Sequence, residues 1–192
     1  KNVSVVGRNL DDWLAGEGGV IAPAAIGHRI VHGGLEFDTP VRLEAETLRR
    51  LAALSPLAPL HQPFNLAAVR AAQDRFPGAV QVGCFDTAFH AGQPRLARLY
   101  ALPRDLTDGG VLAYGFHGLS YDFIAGELRD RFGPGCGGRV IVAHLGSGVS
   151  LCALTDGQSL ATTMGFSALD GPPMATRSGS LDPRVLLSLM ED

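Results

Sequence analysis

Two arginines sit where an anion would be expected. Arg29 lies in Ala25-Ile26-Gly27-His28-Arg29-Ile30-Val31, among β-branched and small residues, and Arg177 lies in Ala175-Thr176-Arg177-Ser178-Gly179, where small neighbours leave a guanidinium reachable. A guanidinium drawn out of water needs an anionic partner. An internal salt bridge to Asp86 or Asp170 would satisfy one, and a carboxylate or phosphoryl ligand held by two arginine forks would satisfy both. Gly146-Ser147-Gly148 adds a turn in which two residues without Cβ atoms let backbone N–H groups approach a phosphate, although a plain hairpin turn has the same composition. Six histidines, His28, His32, His61, His90, His117 and His144, invite a metal reading. His28 and His32 are four apart, but H-R-I-V-H lacks the glutamate of a zinc-protease helix and falls in a strand pattern, so these rings read as structural or anion-contacting. His117 stands apart from them, because Gly115 and Gly118 flank Phe116-His117 and hold an imidazole beside open space.

Composition narrows the chemistry further. Lys1 is the only lysine among 16 Lys plus Arg, so the chain offers no Walker lysine, no protein-kinase strand lysine and no Schiff-base amine. No G-x-S-x-G occurs, which removes the serine-hydrolase elbow. Cys84, Cys136 and Cys152 are odd in number and lack C-x-x-C spacing, and they read as reduced, mostly buried thiols. A net charge of −3 provides no cationic face for nucleic acid. There is no long apolar run for a membrane span, and Lys1 to Trp13 turns acidic where a signal peptide would stay apolar, so the expectation is a soluble, cytoplasmic protein. What remains is arginines, glycine turns and carboxylates, the tools of phosphoryl transfer.

The elements that must position these groups are an α/β series. The pattern predicts a strand from Ala25 into Gly33-Gly34, interior to a sheet, a helix from Glu44 to Leu54 ended by Ser55-Pro56, and a helix capped by Asn65 and stopped at Pro77-Gly78. Leu57 to Pro63 is a shaped loop. A strand from Val80 to Phe85 delivers Asp86 at its C-terminal end, where α/β sheets present functional side chains. Ser120 then caps a helix with Phe123, Ile124, Leu128 and Phe132 as its core positions, closed by Gly133-Pro134. Residues 139–163 form an antiparallel meander with Asp156-Gly157 as a hairpin turn, and Asp182-Pro183 opens a last helix. The domains are expected at 1–90 and 91–192.

Taken in order, GHRIVHGG, LAPLHQPFNL, FDTAFH, LYALP, YGFHGLS, AHLGSGVSLCA, TTMGFSALDG and ATRSGSLDP resemble the acetate kinase family, also called acetate/propionate kinases, over residues 27 to 183. That resemblance implies an actin-like, sugar-kinase-like two-domain fold. It also implies ATP and Mg2+ as cofactors, transfer of the γ-phosphate to acetate, propionate or another short carboxylate, and a homodimer when full length. Position by position, Arg29 and Arg177 would bracket the carboxylate and the moving phosphoryl group, and His117 would donate a further hydrogen bond. Asp86 would organise Mg2+ or orient an arginine. His61, His144, Gly146, Ser147 and Gly148 would lie on the nucleotide-phosphate side, and Val31, Leu60, Phe116 and Ala168 around the acyl methyl group.

Three positions depart from the family pattern: Ser147 stands for an asparagine, Ala168 for a proline of the acyl pocket, and Ala175 for a glycine. Ala168 predicts a roomier pocket that handles propionate relatively better. An alanine at 175 forced to positive φ would cost about 1 kcal/mol. Family chains are longer, so this stretch is expected to represent their central part, to expose sheet edges and apolar faces, and to be weakly active or inactive alone. Competing readings are a non-catalytic remnant that binds anions or docks on a kinase subunit, and a histidine-metal hydrolase.

Overall fold

The computed structural model describes residues 23–133 and 138–191. Lys1 to Trp13, Pro134 and Cys136, which carried expectations above, lie outside the described residues. The chain divides into two compact units, Lys1–Phe85 and Asp86–Asp192.

In the first unit β1 (Ala25–Ile30) runs parallel to β3 (Val80–Phe85), with Ile30 opposite Phe85, and the two-residue β2 (Val41–Arg42) pairs antiparallel on the other side of β3. β1 is therefore an edge of the described sheet and not an interior strand. Its alternation leaves Arg29 exposed, which corrects the expectation of an arginine withdrawn from water. Ile30, Leu43, Leu51, Leu66, Val69 and Phe85 form the buried side. α1 (Ala45–Ala53) brings Leu48 and Leu51 to it, as the helical spacing predicted. α2 (Gln62–Arg75) begins four residues earlier than expected, with His61 at the N-cap and Pro63 in the first turn. Asn65 is inside that turn, because its Oδ1 is engaged elsewhere: it accepts the Val31 N–H at 3.0 Å and ties α2 to the end of β1. Buried Gln62 spans the same region, its Nε2 donating to the carbonyls of His32 (3.1 Å) and Leu51 (3.2 Å).

In the second unit α3 (Arg104–Asp108) precedes α4 (Gly118–Phe132), and β4 (Arg139–Leu145), β5 (Val149–Thr155) and β6 (Gln158–Thr162) form the expected meander. Asp156 (φ 52°) and Gly157 (φ 75°) make the tight hairpin, both in the left-handed region that a two-residue primed turn requires. α4 lies on one face of this sheet through Tyr121, which clusters with Cys152 and Leu154 and with partly buried Phe89, Ala125, Val140 and Val142. Phe123 and Phe132 are each 65% exposed, so they are not core positions; the sheet takes the stripe that contains Tyr121 and Ala125 instead. The opposite face of β4 is bare and apolar, with Ile141 at 74% and Leu145 at 77% exposure, in line with the exposed sheet surface expected. α5 (Pro183–Glu191) follows Asp182 as predicted and buries none of its residues. Cys84 and Cys152 are free thiols, the latter buried. Among the described residues no helix is long and apolar enough to cross a membrane.

Candidate active site in the second unit

The segment Gly115-Phe116-His117-Gly118 is shaped by packing at each residue. Gly115 has φ 74°, and a Cβ there would lie 2.6 Å from His90 Cδ2, so both backbone angle and space demand glycine. The carbonyl of Phe116 accepts His90 Nε2–H at 3.0 Å. His90 is fully buried, and its Nδ1 is 2.7 Å from Ser159 Oγ, which also accepts Gln93 Nε2 at 2.8 Å. Ser159 therefore donates to Nδ1, and His90 is neutral; burial pushes its pKa down to about 4. Gly118 donates its N–H to the Asp86 carbonyl at 2.8 Å, and a Cβ on Gly118 would stand 2.3 Å from that oxygen. Held on both sides, His117 adopts φ 59° and becomes the N-cap of α4. Left-handed backbone is tolerated by histidine at a cost on the order of 1 kcal/mol. The expected cap, Ser120, is inside the first turn, with its Oγ 3.0 Å from His144 Nδ1.

His117 is 8% exposed and its ring stacks on His144, centroids 4.0 Å apart and planes 16° apart. Its Nδ1 lies 2.8 Å from Ser150 Oγ, and Ser150 is bonded in turn to the Tyr121 hydroxyl. The other edge of the ring faces Gly148. A Cβ on Gly148 would sit 3.0 Å from His117 Nε2 and 3.3 Å from Arg177 Nη2, so the missing side chain is what allows an imidazole and a guanidinium to share one small space. Gly146 N–H closes the turn onto the Gly148 carbonyl at 3.1 Å, leaving Ser147 exposed at its tip. The N-terminal end of α4 adds positive potential at the same place.

Arg177 is half-buried and donates Nη1 to the Ala168 carbonyl at 2.7 Å. It makes no ion pair with any described residue, so the internal salt bridge is not its role. Asp170 has other partners, accepting Ser180 Oγ at 2.6 Å and the Gly171 N–H at 2.8 Å. Those bonds, with Tyr100 accepting the Phe166 N–H at 2.7 Å, hold the loop that carries Ala168 and Arg177. Ala175 is not among the positive-φ residues, so the strain expected for alanine there does not arise.

Of the residues singled out by sequence, the structure brings His117, His144, Gly146, Gly148, Arg177 and Ala168 into one neighbourhood, with the backbone of Asp86 clamped to it and the Asp86 side chain 2% exposed. Phe116 is buried at 2% beside them. Arg29, Val31, Leu60 and His61 belong to the first unit, where Arg29 and His61 are exposed and Leu60 is 76% exposed. Sequence reasoning missed the parts played by Tyr121, Ser150, His90 and Ser159. Each pairing spans 29 residues or more and joins a helix or a helical turn to a strand, a contact that no local pattern signals. Among the described residues no three His, Cys, Asp or Glu side chains converge as a metal cage. Asp86, which directly follows β3, is the acid that would hold a magnesium ion, in the manner of an ion that takes one carboxylate and fills its other positions with water and substrate phosphates.

The chain matches the Acetokinase family over residues 20–192. It is 54% identical over 170 residues to an acetate kinase of Rhodopseudomonas palustris, covering 88% of this chain and 43% of that protein. An acetate kinase of Methylocella silvestris is 52% identical over 168 residues, covering 88% and 42%. Among solved structures, a propionate kinase from Francisella tularensis superposes with a TM-score of 0.90 at 39% identity, over 97% of this chain and 49% of that one. The acetate kinase of Entamoeba histolytica gives 0.87 at 32% identity, over 100% and 49%. The chain thus spans a little under half the length of these relatives, and its architecture is the actin-like one that they share.

Proposed function

The chain belongs to the Acetokinase family, and from that premise we propose that it contributes to moving the γ-phosphate of ATP to the carboxylate of acetate or another short-chain acid, reversibly, in a two-domain enzyme. In this reading residues 1–90 belong to the N-terminal domain and 91–192 open the C-terminal one, and the complete enzyme is a cytoplasmic homodimer.

The observation that carries the proposal is the convergence of His117 Nε2 and Arg177 Nη2 on the face of Gly148, beside the 146–148 turn. Phosphoryl transfer asks little covalent chemistry of a protein. A carboxylate oxygen bonds to the γ-phosphorus as the bond to the β,γ-bridging oxygen breaks, and ADP leaves with that electron pair. The acceptor is already ionised at neutral pH, so no general base is needed. What must be supplied is charge neutralisation on the three equatorial oxygens and alignment of the two partners. Arg177 supplies a fixed fork, His117 a directed N–H, and the Gly146–Gly148 turn a backbone that a phosphate can approach. Arg29, with Val31, Leu60, Phe116 and Ala168, would receive the acid, and His61 and His144 the phosphate side. Asp86 would hold Mg2+, which when bound offsets charge on the β- and γ-oxygens.

Incubating the complete chain with ATP, Mg2+ and acetate and trapping acyl phosphate as its hydroxamate tests the proposal. Acid-dependent product is expected, and ATP turnover indifferent to every short acid would reject it. Ala168→Pro is expected to shift preference toward acetate, because a methylene in an apolar pocket is worth about 1–3 kcal/mol and proline narrows the space. The substitution retains the carbonyl that Arg177 uses. An unchanged acetate-to-propionate ratio of kcat/KM would separate Ala168 from acid choice.

A further inference from the structure

The side chain of Tyr100, in Leu99-Tyr100-Ala101-Leu102-Pro103, ends on the backbone between the two arms of the site. Its hydroxyl accepts the Phe166 N–H at 2.7 Å. On the other edge of the same peptide unit, the Gly165 carbonyl accepts the N–H groups of Tyr114 at 3.0 Å and Gly115 at 3.3 Å. A peptide unit is planar and rigid, and its C=O and N–H point in opposite directions. Bonds at both edges therefore leave the 165–166 plane no rotation, whereas bonds at the oxygen alone would let it swing about that end. An amide N–H only donates and a carbonyl only accepts, so the direction of every bond in this set is fixed.

Each arm leads to a reacting group. Gly115 opens the segment that holds His117, and Ala168, two residues past Phe166, gives its carbonyl to Arg177 Nη1 at 2.7 Å. Past Ala168 the loop is stapled again, where Ser180 Oγ donates to Asp170 Oδ1 at 2.6 Å and Ser180 N–H to the Gly171 carbonyl at 2.8 Å. Tyr100 itself is seated on the first arm: Ala113 N–H bonds the Arg98 carbonyl at 2.8 Å, and Arg98 Nη1 bonds the Ala91 carbonyl at 3.0 Å. Gly165 records how close the phenol stands, since a Cβ there would fall on the Tyr100 oxygen. Burial raises the pKa of Tyr100, which keeps the hydroxyl neutral while it accepts the amide.

We propose that Tyr100 is a positioning residue for the transfer step: its hydroxyl locks the 165–166 peptide plane and so fixes where the Arg177 fork stands relative to His117. The kinetic part rests on the functional reading above; the lock on the peptide plane does not.

Tyr100→Phe removes the one oxygen and keeps the ring. In the complete chain it is expected to lower kcat about 10- to 100-fold with KM for ATP little changed, the cost of a group misplaced by about 1 Å. The thermal melt should move little. In an Arg177→Ala background Tyr100→Phe should add almost nothing, because the two changes then remove one interaction. Losses that multiply independently overturn the inference, as does a kcat that stays at the wild-type value or falls only as far as the folded fraction does. Amide hydrogen exchange separates geometry from chemistry. The Phe166 amide is expected to exchange slowly in wild type and on the order of tenfold faster in Tyr100→Phe, the weight of one hydrogen bond, while the Tyr114 amide keeps its protection. A Phe166 amide that exchanges alike in both chains overturns the lock. The expected exchange pattern in a chain that makes no acyl phosphate would uphold the lock and reject the functional reading.

Discussion

Arg177→Ala in the complete chain is expected to lower kcat for acyl phosphate formation about 1,000-fold or more, with a much smaller change in KM for ATP. The magnitude follows from what a fixed arginine supplies as equatorial oxygens gather charge, on the order of 10³-fold or above in phosphoryl transfer. The interpretation is unusually clean here because of how Arg177 is held. Its guanidinium makes no ion pair with any described residue and spends Nη1 on the Ala168 carbonyl, leaving Nη2 beside Gly148. Removing it strands no buried carboxylate, so thermal stability should shift little. Arg177→Lys retains the charge but lacks the fork, and cannot hold the loop carbonyl and a phosphoryl oxygen in one plane; partial recovery of no more than about tenfold is expected. Steady-state kinetics beside a thermal melt decide the matter. A variant with kcat within tenfold of wild type and an unchanged melt would remove Arg177 from the reaction.

The limits of the sequence reading have physical causes at particular residues. The meander and its Asp156-Gly157 turn were legible because alternation and turn chemistry are local signals, and both appear where expected. The start of α4 was not, because no side chain caps it; the Asp86 carbonyl, distant in sequence, fixes Gly118 and leaves His117 in left-handed backbone. Asn65 and Ser120 are good caps by type, but their side chains bond Val31 and His144 instead. Arg29 looked buried from its apolar neighbours, but burial of a strand residue depends on its face and on the strands beside it, and β1 is an edge of the described sheet. The ordered motifs identified His117, Gly148 and Arg177, while the pairing of Tyr121 with Ser150 depends on where α4 lands on β5.

Acidification is expected to destabilise both units together, for the same reason in each. His32 in the first unit and His90 in the second are fully buried, and burial pushes each pKa from 6.5 to about 4. Once unfolded, each ring regains its ordinary affinity for a proton. Below pH 6.5 the unfolded chain therefore binds protons that the folded chain refuses, and stability falls with pH by about 1.4 kcal/mol per unit per histidine until the folded rings also titrate near 4. Above 6.5 these groups leave stability flat. Urea midpoints compared at about pH 7.5 and about pH 5.5 should differ by an amount equivalent to roughly 1–1.5 kcal/mol for each unit. His90→Gln is expected to lower the midpoint at neutral pH while flattening the dependence of the second unit; an undiminished slope would place the acid sensitivity elsewhere. The consequence reaches the site, because His90 Nε2–H holds the Phe116 carbonyl that leads into His117. Protonating Nδ1 would set a second N–H against Ser159, whose oxygen must then give up donating and compete for Gln93. Activity lost below pH 6.5 should accordingly track the urea midpoint, whereas a titrating catalytic group would lower kcat at constant midpoint.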